Sequence, residues 1–183
     1  MSGPRHGATP PDLPWLAVEG AVVEPLAEIL ATVDLERALG DAGFTGSAAD
    51  AILSRSSPDA LLGGRVVLLP VRPAGPARRA GPAGLGDLAE PPDGRGSAQW
   101  ALVEPTTEGR LTATLARHGE GHAGWYLRLP LGLDHAGRLA TDAGLRLSRP
   151  ADGPFGRERL ILGDRIDGPH VLLVAAPAVP SRP

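Results

Sequence analysis

The chain has 183 residues, 42% of them hydrophobic, 3% aromatic and none of them cysteine. Its formal charge is −3, from 18 basic residues against 21 acidic ones. Disulfides and cysteine-held metals are thereby excluded, the core must be built from Leu, Val, Ile and Ala, and no Arg-rich stripe interleaved with aromatics points to nucleic acid.

No apolar run reaches the ~20 residues that span a bilayer. The opening stretch "MSGPRHGATPPDLP" lacks the apolar segment of a signal peptide. A soluble, cytoplasmic protein with neither nucleic-acid nor membrane partners is expected.

Residues 1–13 are rich in Pro and Gly and predict a disordered N-terminus. A strand over "AEILATV" (27–33) then leads into a short helix, "DLERALGDAG" (34–43), capped by Asp34 and stopped by Gly43. The same residues also fit one helix from Leu26 to Leu39. One further strand is left unplaced within 44–62. "GRVVLLPV" (64–71) and "AQWALVEP" (98–105) read as strands, separated by "PAGPARRAGPAGLGDLAEPPDGRGS" (73–97). That segment cannot bury enough apolar surface to offset an ordering entropy of ~1–2 kcal/mol per residue, so it predicts a flexible loop.

Thr106 or Thr107 can cap "EGRLTATLARHG", with Leu111 and Leu115 on one face. "HAGWYLRLP" (122–130) reads as a strand, and "DHAGRLATDAG" (134–144) as a helix from Asp134 to Gly144. "LRLSRP", "RERLILGD" and "HVLLVAAP" give three closing strands, joined by the turns "DGPFG" and "RIDGP". Each half thus reads βαβββ: residues 14–105 as a first module, 106–176 as a second, and 177–183 as a disordered tail.

"LVEPTTEGRLTATLARHGEGHAGWYLRL" and "HAGRLATDAGLRLSRP" resemble the vicinal oxygen chelate superfamily, the glyoxalase and bleomycin-resistance group. They look most like its methylmalonyl-CoA epimerase-like members. The resemblance implies an α+β fold of paired βαβββ modules whose curved sheets enclose a pocket. In catalytic members that pocket holds a divalent metal on three or four His, Gln or Glu side chains, where it acts as a Lewis acid. Carried over one by one, the ligand positions fall on Ala27, Ala101, Gly124 and a residue near Val174. None of these side chains can ligate, so no metal and no other cofactor is expected, with a metal-dependent epimerase-like enzyme on different ligands as the minor alternative.

His118 and His122 flank Gly119-Glu120-Gly121, whose glycines break the helix that a His-x-x-x-His metal pair requires. His122 stands two residues from Gly124, and alternation puts both on one face. Alternation also names a pocket lining of Ala27, Ile29 and Ala31; Gln99, Ala101 and Val103; Gly124, Tyr126 and Arg128; and His170, Leu172 and Val174. The pocket should be roomy and apolar. Gln99, Tyr126, Arg128 and His170, with Gly124 and Ala101, are its candidate ligand-binding residues, and a buried Arg128 would demand an anion. Glu104 reads as structural, and Glu28 faces away from the pocket unless the register slips by one residue.

A metal-free binder of a small, largely apolar molecule, neutral or anionic, fits this pattern. A metal-independent lyase or isomerase acting on a carbonyl or acyl compound is the alternative, with Tyr126, His122 or His170 as acid or base. A module that docks a protein partner through 73–97 is a further one. Related proteins dimerise to complete their pockets, so the resemblance leaves a homodimer open.

Overall fold

The computed structural model describes residues 9–17, 22–70, 99–163 and 166–176. The loop expected over 73–97, the first eight residues of the expected N-terminal tail and the 177–183 tail lie outside them. Among the described residues, the chain runs α1 (Pro14–Ala17), β1 (Glu24–Ala31), α2 (Leu35–Asp41), α3 (Ser47–Leu53), β2 (Ser57–Asp59), β3 (Gly64–Pro70) and β4 (Gln99–Pro105). It continues with α4 (Arg110–His118), β5 (Gly121–Leu129), α5 (Leu133–Asp142), β6 (Arg146–Leu147), β7 (Ala151–Gly153), β8 (Gly156–Leu162) and β9 (His170–Ala175).

One sheet runs in the order β2-β3-β4-β1-β5-β9-β8-β6, with β7 beside β8. Within each half the first and last strands pair in parallel, β1 with β4 and β5 with β9. The two halves join through the antiparallel pair β1·β5. The sheet curls into a half-barrel far enough for β2 and β7, from opposite halves, to touch. This is the expected α+β architecture of two βαβββ units.

Residues 26–31 of β1 are all buried, so this strand is covered on both faces. Its concave face packs Ala27, Ile29 and Ala31 against Ala101, Val103, Tyr126, Leu160, Leu172 and Val174. On the convex side, Leu30, Val67, Leu69 and Leu102 meet Leu35 and Leu39 of α2. Trp125, Leu127 and Leu173 meet Leu16 of α1 and Leu133 and Ala136 of α5. Helix α4 closes one end of the concave cluster with Leu111 and Leu115.

Several boundaries differ from the sequence reading. Residues 26–39 do not form one helix. Asp34 does cap α2, accepting from the Arg37 amide; the strand left unplaced within 44–62 is β2, and it is preceded by α3, a helix the sequence reading did not include. Neither Thr106 nor Thr107 caps α4. Gly109 stands at the N-cap, while both threonine amides donate to the Gly63 carbonyl at 2.9 and 3.2 Å, tying the β4–α4 connection to the start of β3. Gly132, not Asp134, is the N-cap of α5. Asp134 pairs instead with Arg159 at 3.3 Å.

Candidate functional site

Alternation correctly names the concave lining on β1, β4 and β9 but fails on β5. The register of β1 against β5 shifts between Ile29 and Leu30, a bulge that spends one residue without changing face. Gly124 sits at this irregularity with φ +151°, and a Cβ there would lie 1.8 Å from the His170 carbonyl oxygen of β9. Ala123 and Tyr126 therefore both face inward, whereas Trp125 faces outward. His122 is likewise turned away from Tyr126: its Nδ1 donates to Glu28 Oε1 at 3.0 Å, and its ring lies 5.9 Å from that of Trp125. The expectation that His122 enters the pocket is corrected by the bulge, while Glu28 faces away as alternation predicts.

The other candidates are dispersed. Arg128 lies on the rim, about a third exposed, and pairs at 3.1 Å with Glu24, its direct partner in register. It is not a buried cation, and its demand for an anion does not arise. Gln99 is half-buried at the start of β4. His170 is buried under α4, where Thr114 Oγ1 lies 2.9 Å from its Nε2. The threonine hydroxyl already donates to the Arg110 carbonyl, so the imidazole N–H is the donor. Burial above all, then the Arg110 charge, pushes His170 below the ordinary histidine range. Glu104 pairs with Arg65 across the β3–β4 ladder at 2.8 Å.

His118 Nε2 lies 3.3 Å from Asp167 Oδ2, beside Arg117, which reaches the same carboxylate at 2.9 Å. His118 and Asp167, with His122, Thr114 and Pro169, border an open groove of about 430 Å³ at the end of α4. Glu120, between the two histidines, is a clamp. It accepts from Thr32 Oγ1 at 2.7 Å, from the Val33 amide at 2.8 Å and from Arg37. Hydrogen bonding to Arg37 is the main reason its carboxyl is held down at about 2.

The concave centre is occupied by side chains rather than roomy. Tyr126 is fully buried and donates its hydroxyl to Asp59 Oδ2. Asp59, at the end of β2, also accepts the Leu61 and Leu62 amides on Oδ1, both at 2.9 Å. Beside them stands Glu158 of β8, which is 0% exposed; no N–H or hydroxyl donor reaches its carboxyl oxygens, and the Asp59 side chain is its hydrogen-bond partner. Gly153 leaves room for that carboxyl, since a Cβ there would lie 2.2 Å from it. Phe155, on the β7–β8 turn, lies edge-on over Tyr126 with ring centroids 5.1 Å apart.

Burial, then the nearby Asp59 charge, raises the proton affinity of Glu158 far above the usual carboxylate range. The same two causes lift the Tyr126 phenol. The sequence reading missed Asp59 and Glu158. Glu158 faces Val174 across the β8–β9 ladder and keeps phase with the inward Leu160, so alternation anchored on Leu160 would have found it.

The metal implied by the resemblance has no donors at its expected places. Ala27, Ala101 and Val174 present only methyl groups, and the Cβ space of Gly124 belongs to the backbone of β9. Among the described residues no three His, Cys, Asp or Glu side chains converge on a point that could hold a metal. The residues present do not fit that group.

No family model and no curated protein sequence matches the chain. Solved structures do. A variant of the Streptomyces coelicolor methylmalonyl-CoA epimerase, in complex with 2-nitronate-propionyl-CoA, aligns over 87% of this chain and 98% of its own, at 20% identity and TM-score 0.58. The epimerase of Mycobacterium tuberculosis aligns over 84% and 89%, at 22% identity and TM-score 0.57. A hypothetical protein of Bacillus halodurans aligns over 87% and 99%, at 11% identity and TM-score 0.56. The curled sheet of two βαβββ units is the glyoxalase-like fold of the vicinal oxygen chelate proteins, the fold of the methylmalonyl-CoA epimerases.

Proposed function

We propose that this protein binds a small, largely apolar molecule, and does so without a metal. What supports the reading is that Ala27, Ala101, Gly124 and Val174, none of which offers a metal ligand, stand at the positions that the resemblance gives to the family's ligands.

Arg128 is paired with Glu24 on the rim, so an anionic ligand is not required. Similar folds include an epimerase solved with methylmalonyl-CoA and ammonium. Carbonyl and acyl compounds are therefore the first ligands to try.

The test is metal content of the purified full chain by mass spectrometry, with thermal stability recorded with and without Zn²⁺, Mn²⁺, Co²⁺ and Ni²⁺. The expected result is sub-stoichiometric metal and no specific shift. One equivalent of retained metal, or a large shift with one of the four, would overturn the metal-free reading and favour epimerase-like chemistry.

A further inference from the structure

Neighbouring strands of the sheet are joined by backbone ladders, but the seam where its two ends meet is not. β2 is the end strand of the first half, and β7 lies beside β8 near the end of the second. They touch across the mouth of the half-barrel, yet among the described residues no ladder pairs them. Side chains hold this seam. Asp59, the last residue of β2, accepts the Leu61 and Leu62 amides and the Tyr126 hydroxyl. Glu158 meets it from β8 and hydrogen-bonds its side chain. Leu61, Leu62 and Phe155 pack in the same cluster.

Two carboxyls hydrogen-bond each other only through a proton. Asp59 already has three other donors, which favour its charged form, so the proton belongs to Glu158. The groups around Glu158 offer no substitute for it. No N–H or hydroxyl donor reaches its oxygens. The charges that act on it, Asp59 of β2 and Asp152 of β7, are both negative. Tyr126 of β5 gives its hydroxyl to Asp59, and β9 sets Val174 opposite. The strand neighbours Arg157 and Arg159 reach Asp152 and Asp134 instead.

We infer that this shared proton is the latch of the half-barrel: with it, Glu158 ties β8 to β2 and the mouth is shut; without it, two buried carboxylates face each other, and β2 parts from β7 while the laddered sheet stays intact. The inference does not rest on the binding reading above. Burial, then the Asp59 charge, holds the Glu158 proton up to about 9 in the shut form, against an ordinary 4.5 once water reaches the group. The open form therefore gains as pH rises between these values and gains nothing further above the higher one.

The test uses the full chain, which has no cysteine of its own. Ala60→Cys, just after β2, and Arg149→Cys, just before β7, are both exposed positions and carry a pair of spin labels across the seam. Pulsed EPR distances are recorded from about pH 5 to about pH 10, with circular dichroism as the check on folding. A second, longer distance should appear, its ratio to the shorter one rising about tenfold per pH unit and levelling off above about 9. Glu158→Gln keeps a donor toward Asp59 and has no proton to lose, so it should hold the short distance throughout. Asp59→Asn removes the opposing charge and should bring the plateau to lower pH.

A single distance in wild type at every pH overturns the latch. So does the same lengthening in Glu158→Gln, a plateau left in place by Asp59→Asn, or a lengthening that comes only with loss of the circular dichroism signal.

Discussion

At residue 153 a single hydrogen in place of a methyl group decides where Glu158 can be. A Cβ there would fall 2.2 Å from the Glu158 carboxyl carbon, so Gly153→Ala must displace the acid or the β7–β8 turn. Overpacking of this kind costs about 1–3 kcal/mol. Chemical denaturation should show that loss in the wild-type background and much less of it in Glu158→Ala, where the obstructing carboxyl is gone. Strictly additive costs in the two backgrounds would mean that the glycine serves the backbone and not the acid. Little of this residue-scale site was legible beforehand. Tyr126 was found because alternation along β5 resumes after the bulge. Asp59 was hidden in "SSPDALLGG", whose composition reads as turn chemistry. Glu158 was hidden between Arg157 and Arg159, where a lone acid reads as part of a solvated strand.

Among the elements, the joint from α4 to β5 shows how a sequence that suggests chemistry can be mechanical. The two histidines of "HGEGH" reach different partners on different elements, Asp167 and Glu28. The glutamate between them fastens the β1–α2 connection. Glu120→Gln should lower stability by ~1 kcal/mol, a modest figure because the clamp is about a third exposed and solvent screens it. Its carboxyl titrates at about 2 when folded, below the ordinary 4.5. The unfolded chain therefore takes up the proton first as pH falls, and the contribution is complete above 4.5 and lost between there and 2. Denaturation midpoints of wild type and variant should converge over that window, and a gap that persists below it would refute the ionic part of the clamp. The elements were read better than the residues, since Pro and Gly punctuate them. The one seriously misread strand is β5, where a bulge, invisible to a period-two pattern, reverses the face of His122.

For the whole molecule, Glu158 acts in the opposite sense to Glu120. Its folded proton affinity is raised, to about 9 against an ordinary 4.5, by burial first, then by the Asp59 charge and a hydrogen bond to Asp59, with Asp152 adding to it. Unfolding releases that proton anywhere between the two values, so stability falls as pH rises through this window. Glu158→Gln should flatten the fall, which urea titrations at several pH values would show. An unchanged slope would mean that another group carries the proton. The architecture itself was legible from the order of elements and the spacing of turns. The filled centre was not, because it depends on β2 and the β7–β8 turn, from opposite halves, meeting across the mouth of the half-barrel.

The place of β1 at the middle of the sheet also dictates when the chain can fold. Ala27 has Gln99 on one side and Tyr126 on the other, so neither edge of this strand is satisfied by anything near it in sequence. Closing such distances comes before any reward from pairing, which slows folding. Until β5 has been synthesised, the growing chain carries a hydrophobic strand with an open edge, the feature through which nascent proteins stick to one another.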